Sequence, residues 1–285
     1  MIKRIALKTG IVLVVLLLTL VAASGIAHLF FQQHVKQEVE SLFHQVQHYD
    51  ELVTQEHLEG LPKNVQAWLE YSGIVGREKI SAVRLKQTAS MRLGKDQSWL
   101  PVEAEQYFAS EKPGFIWRAR VQAAPFIHIA ARDKYDHGHG NMLIKPLSLI
   151  TLSDAKGAEI DQGTMLRYLA ETMWFPSAAL EDYIVWETID DTHAKATMTY
   201  EDVQASGIFT FNSDGAAVKF EAERYGEFNG AFRLHTWAVP VSDYRSFDGM
   251  MVPTKGEVTW KLPEGDFNWF RFEVIEMEYN QPAPY

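Results

Sequence analysis

Two-residue alternation is the feature that most limits how this 285-residue chain can fold. Phe115, Trp117, Ala119 and Val121 alternate with Arg118, Arg120 and Gln122. The pattern recurs at Val83 and Leu85, at Ala194, Ala196, Met198 and Tyr200, at Val218, Phe220 and Ala222, and at Val258, Trp260 and Leu262. Successive side chains of a strand point to opposite faces, so each run has one apolar side and one polar side. An antiparallel sheet with one solvated face requires this; a parallel sheet, buried on both sides, does not. Turn signals separate the runs, the clearest at Asn212-Ser-Asp-Gly215. About ten strands are predicted, more than a flat open sheet carries without curling. The expected fold is mainly β, of the α+β class: a curved antiparallel sheet or partial barrel with a central helix. That helix is Gly163–Phe175, with Met165, Leu166, Leu169 and Met173 on its apolar face and Pro176 as its stop. A shorter helix after Pro62 carries Val65, Trp68 and Leu69.

The N-terminus differs in kind. Lys3, Arg4 and Lys8 precede an uncharged apolar run from Ile11 to Phe31. At ~1.5 Å per residue such a run crosses the ~30 Å core of a bilayer. The basic flank predicts a cytoplasmic N-terminus and an exported main domain, by the positive-inside rule. A cleaved signal peptide ending near Ala22-Ala23-Ser24 is the competing reading, and the apolar residues that continue past it favour an uncleaved anchor. From Gln32 to Glu59 a helix is expected, with Val35, Val39, Leu42, Val46, Tyr49 and Val53 in a stripe. The stripe packs on its own domain or offers a self-association surface. Residues 1–31 are thus expected as cytoplasmic tip and transmembrane anchor, 32–60 as an amphipathic helical stalk, and 61–285 as one exported half-barrel domain, with localisation at the cell membrane.

Composition removes several function classes. The chain has no Cys, which excludes disulfides, thiolate metal sites and a Cys nucleophile. Its net charge of −10 argues against nucleic acid, whose phosphates must be neutralised. No nucleophile elbow, zinc-protease helix, phosphate loop or dinucleotide fingerprint occurs. Glu40, His44 and His48 share one helical face but fall short of the four ligands of a closed metal site, so neither metal nor cofactor is expected.

The most polar cluster is Arg132-Asp-Lys-Tyr-Asp-His-Gly-His-Gly-Asn141. Turn chemistry at a hairpin end accounts for it. The alternative is a ligand contact, with His137 and His139 pointing the same way and Gly138 and Gly140 admitting a ligand to the backbone. Glu171, on the central helix, is expected to pair with Arg132, because buried charges need partners.

The pieces Leu61-Pro, Trp99-Leu-Pro101, Pro113-Gly-Phe-Ile-Trp117, Arg132-Asp-Lys-Tyr135, Tyr168-Leu-Ala-Glu-Thr-Met-Trp-Phe-Pro176 and Arg224-Tyr225 resemble a family of bacterial membrane-anchored proteins of unknown function. In architecture the curved sheet with a helix in its mouth is similar to the lipoprotein-carrier half-barrels of the cell envelope. That resemblance implies an open half-barrel able to hold acyl chains.

The functional expectation is a membrane-anchored, non-catalytic envelope protein that binds a lipid or another apolar ligand. Phe115, Trp117, Arg132, Tyr135 and Trp174 are its candidate ligand-binding residues. Two alternatives stand beside it. One is an envelope hydrolase with Asp133, His139 and Glu171 as catalytic groups; the other is a membrane-complex scaffold working through residues 32–60.

Overall fold

The structure, a computed structural model, describes residues 2–47 and 50–285. Two meanders account for the sheet. The first comprises β1 (Ala82–Met91), β2 (Leu100–Ala109), β3 (Gly114–Ala124), β4 (Ile127–Asp136), β5 (His139–Pro146) and the short β6 (Ser153–Ala155). The second comprises β7 (Ile184–Thr188), β8 (His193–Tyr200), β9 (Val203–Phe211), β10 (Ala217–Phe228), β11 (Ala231–Phe247), β12 (Met250–Lys261) and β13 (Phe267–Tyr279). Pairing of β1 with β13 joins them into one 13-stranded sheet, in the order β6-β5-β4-β3-β2-β1-β13-β12-β11-β10-β9-β8-β7. Every ladder is antiparallel, as the alternation requires, and the strands number three more than the sequence suggests. The extra strands are the ones with weak or broken alternation, such as β6 and β7.

Three α-helices accompany the sheet: α1 (Ile2–His44), α2 (Lys63–Ser72) and α3 (Ala158–Glu171). α2 follows Pro62 and stops at Gly73, whose φ of 76° is the left-handed cap that glycine provides without strain. It buries the expected Val65, Trp68 and Leu69. α3 connects the two meanders and lies between the sheet's two ends. The Asp161 carboxylate accepts from Gly140 N of β5 at 2.6 Å, and on the other side Arg224 Nε of β10 donates to Gly163 O at 3.0 Å. A Cβ at Gly140 would lie 2.4 Å from Thr164 Oγ1 and 2.7 Å from Ile160 O, so only glycine lets β5 come this close to α3. The expected central helix is therefore the piece that closes the partial barrel. Pro176 does not merely stop it but opens a further 3-10 segment, Pro176–Leu180. The main core lies between α2, α3, the 3-10 turns and the concave sheet face, and contains Trp68, Phe108, Phe115, Tyr168, Phe175, Phe209 and Phe220.

α1 is one unbroken helix that carries the apolar run and then continues across the convex face. Among the described residues it is the one helix long and apolar enough to cross a membrane. It ends at His44, not at Glu59; residues 52–54 run extended, with Val53 hydrogen-bonded to Arg77 and Gly76, and a 3-10 turn, Gln55–Leu58, follows. Phe31, Val35, Val39, Leu42 and Phe43 are buried against Ala82, Tyr107, Ala109, Ile116 and Ala130 of the sheet. Each such side chain is worth about 1.5–3 kcal/mol over exposure. The helical part of the expected stalk is thus docked on its own domain through Val35, Val39 and Leu42 of the stripe. His48 and Tyr49, from the metal face and the stripe, lie outside the described residues.

Candidate functional site

Alternation in β4 decides where the polar groups go. Arg132 and Asp133 are adjacent and point to opposite faces. Asp133, on the concave side, accepts from Arg167 Nη1 of α3 at 2.7 Å. Arg167 Nε donates to Glu171 Oε1 at 2.9 Å, and Gln106 Nε2 donates to Glu171 Oε2 at 2.7 Å. The guanidinium also lies 4.9 Å from the Phe115 ring centroid and 5.0 Å from that of Trp117. Burial pushes the Glu171 carboxyl up, against the opposing pull of Arg167 and Gln106. Arg224, nearby on β10, is brought down to about 10 by burial and stacks 5.0 Å from Trp237.

Arg132 sits instead on the convex side, under α1. Its Nε is 3.0 Å from Glu38 Oε2, charge against charge but outside hydrogen-bond alignment, and its Nη1 donates to Asn141 O at 2.7 Å. The expected Arg132–Glu171 pair is therefore replaced by two pairs on opposite faces, Arg132–Glu38 and Arg167–Glu171.

Of the three alternative catalytic residues the structure brings two together and leaves His139 apart. Asp133 and Glu171 are both held by Arg167, while His139 is largely exposed and faces Asp161 at 3.4 Å. The polar cluster is a hairpin end: His137 and Gly138 form a two-residue turn with φ of 51° and 77°. The left-handed His137 breaks the alternation, so His137 turns to Asp136 and His139 to Asp161. Gly140 admits α3, not a ligand. Of the candidate ligand residues, Phe115, Tyr135 and Trp174 are fully packed in the core. Trp117 is half-buried, donating to Gln87 Oε1 at 3.3 Å. The concave face beside them is filled by α3, which is why they line neither groove described next.

Two grooves flank α1. On one side a cleft of about 640 Å³ is lined by Ile26, Leu29, Phe30, Val35 and Val39 of α1, with Lys36, Tyr107, Arg118 and Tyr285. Its polar wall is built by β2 and β3: Glu105 Oε2 accepts from Tyr107 OH at 2.7 Å and from Arg118 Nη2 at 2.5 Å. Burial, and then Glu105, push the Tyr107 phenol up. Tyr285 closes the end, its ring 4.3 Å from Lys86 Nζ and 4.7 Å from Arg84 Cζ. On the other side a polar cleft of about 550 Å³ holds His34, Glu38, Arg132, Lys134, His137 and Asp154. No cluster of three or more His, Asp or Glu suited to a metal occurs among the described residues.

Sequence reasoning missed Arg167, Glu38 and Tyr285. Arg167 had a readable signal, standing four residues before Glu171 on one helix face. The other two depend on which elements meet and carry no local sign.

A family model described as a family of unknown function (DUF6544) matches residues 51–272, from beyond α1 to the middle of β13. No curated protein matches the chain. Among solved structures it is similar to a LolA superfamily protein from Nitrosomonas europaea, at 11% identity and a TM-score of 0.42, over 75% of this chain and 92% of that one. A putative outer membrane lipoprotein-sorting protein domain from Vibrio parahaemolyticus follows at 8% identity and a TM-score of 0.40, over 78% and 93%. A β-barrel-like protein of a domain of unknown function from Brucella abortus gives 8% and 0.29, over 71% and 99%.

Proposed function

From the premise that this chain belongs to the family of unknown function DUF6544, we propose that it is a membrane-anchored, non-catalytic envelope protein that holds a lipid in the cleft between α1 and the convex face of β2 and β3. The observation that carries this reading is the composition of the 640 Å³ cleft. Its volume is that of a ligand site. One wall is an apolar helix face, from Ile26 to Val39, continuous with the run that spans the bilayer. The facing wall presents Arg118 and two tyrosines, and Lys36 of α1 adds a second cation. An amphiphile with an acyl chain and an anionic head matches both walls. The cleft begins within the apolar run, at Ile26, so a lipid enters it sideways from the leaflet without crossing water. The N-terminus is cytoplasmic and the domain exported, following the charge step at Lys3, Arg4 and Lys8.

Lipid retained by the purified full-length chain, identified by native mass spectrometry, tests the proposal. Phe30 is highly exposed, so Phe30→Glu leaves the fold intact while placing an anion in the cleft. Loss of lipid with an unchanged melting temperature is expected. His34→Glu, in the opposite cleft, retains it. Equal retention by both variants, or no lipid on the parent chain, overturns the assignment.

A further inference from the structure

We infer that the turns β3–β4 and β5–β6 form a second membrane-contacting surface, so that the half-barrel lies with this rim in the bilayer interface rather than standing clear of it. The inference rests on the anchoring reading above. Its argument starts from the direction of α1 along the sheet. Near its C-terminal end, Phe43 packs its ring 6.0 Å from Tyr107, and a Cβ on Gly114, at the start of β3, would touch Leu42. Toward its N-terminus, His28 Nδ1 is 3.0 Å from Ser148 Oγ, which is 3.0 Å from His128 Nε2, and Ser24 Oγ donates to Leu147 O at 2.8 Å. α1 therefore runs antiparallel to β3, and the far end of β3 stands level with Ser24–His28.

The β3–β4 turn projects beyond that level. Phe126 lies two residues past His128, or ~7 Å along a strand. At ~1.5 Å per helical residue this matches a step from His28 to about Ser24. Before Ser24, α1 is exposed and apolar through Val21 and Leu20. The turns thus end where the spanning run begins.

What they present there is apolar. Phe126 is 94% exposed, Ile150 67% and Leu152 69%, and Ile127 is also exposed. Phe126 adopts φ 65°, a left-handed conformation that glycine or asparagine takes more easily, and in it the ring points away from the domain. Single exposed apolar side chains are ordinary. Four in two adjacent turns, beside an apolar helix, form a patch that water disfavours. Charge agrees: in a chain of net charge −10, residues 121–131 and 142–152 contain no acidic residue, and Lys145 and the exposed Arg120 stand close behind the tips. The turn backbone is also prepared for a drier medium, since Gln122 Nε2 donates to Ala124 O and, at 3.3 Å, to Ile127 O. Aromatic and aliphatic tips backed by basic residues suit the headgroup and acyl boundary of a lipid surface.

The absence of native cysteine permits single labels on the full-length chain. Phe126→Cys, Ile150→Cys, Leu16→Cys and Lys112→Cys, each carrying an environment-sensitive fluorophore, are reconstituted into phosphatidylethanolamine–phosphatidylglycerol vesicles. Lys112 lies in the β2–β3 turn, at the opposite end of β3. Labels at 16, 126 and 150 are expected to shift to the blue and to lose emission to nitroxide-labelled lipid, while 112 does neither. Quenching at 16 with 126 and 150 behaving like 112 overturns this inference and leaves the anchor standing. No quenching at 16 removes the anchor reading, and the inference with it. A blue shift at 126 and 150 without quenching by the labelled lipid means that protein covers the rim, which overturns the assignment to lipid.

Discussion

The two faces of β4 bury the same chemistry to different ends. On the concave face one guanidinium, Arg167, serves two carboxylates and a glutamine and is sandwiched by Phe115 and Trp117. On the convex face Arg132 meets Glu38 without hydrogen-bond alignment, with Lys134 3.9 Å from the same carboxylate. The concave cluster is sealed by sheet and α3; both Glu171 oxygens and Asp133 Oδ2 accept hydrogen bonds, while Asp133 Oδ1 is buried without a partner. The convex pair lies in a seam between α1 and the sheet that opens into a 550 Å³ cleft. Proximity of acid and base along the sequence thus says little about chemistry. Access separates a structural ion cluster from a surface that meets a ligand.

Four measurements break or sharpen this contrast. Arg167→Met strands Asp133 and Glu171 in the core, and a urea melt is expected to show a loss of about 3–5 kcal/mol. Combining it with Asp133→Asn and Glu171→Gln should recover much of that loss, because the stranded charge rather than the missing bond carries the cost. Next in size is Leu42→Ala, expected to cost about 2–5 kcal/mol and to raise hydrogen exchange in α1 before that in β3. Glu38→Gln is expected to cost only about 1–2 kcal/mol, since Arg132 keeps Asn141 O. If Glu38→Gln costs as much as Arg167→Met in the same melt, the contrast between the faces fails.

The smallest effect is a pH response at the upper seam. Burial, and then Arg120, hold His128 below its ordinary 6.5. The folded form therefore prefers the neutral ring. Its contribution is complete above about 6.5 and is lost as pH falls through the depressed folded value. The protection of the amides across Ser24–Phe31, taken relative to their intrinsic exchange rate at each pH, is expected to fall modestly between about pH 7 and about pH 5, and His128→Gln should weaken that response without abolishing it, because burial also holds His28 down.

Much of the architecture was legible in the residues. The alternation in β3, β8 and β12 places Phe115, Ala119, Val121, Ala194, Ala196, Met198, Val258 and Trp260 in buried positions, as read. β10 departs from its reading because a bulge beside Val218 sends Ala217 inward in its place. Periodicity carries no information about where such an extra residue falls. The end of α1 was misjudged because Val53 continues the stripe numerically but is buried from an extended segment. The candidate site was less legible than the fold. Its cleft depends on α1 crossing the convex face, and the partners of Arg132 and Glu171 depend on which face each occupies. Tyr285, distant in sequence from every other wall of the cleft, has no local pattern that announces it.

The continuity of α1 also sets how far the domain can reach. A flexible tether of ~20 residues lets its cargo wander by ~25 Å. Here no tether exists, because the apolar run and the segment packed along the sheet belong to one unbroken helix. In the anchored state proposed above, the roaming radius would be close to zero and the tilt of the helix in the lipid would become the tilt of the barrel. Such a molecule would not fish for partners in the surrounding space; it would meet only what diffuses in the plane of its own leaflet or arrives within the height of one domain above it.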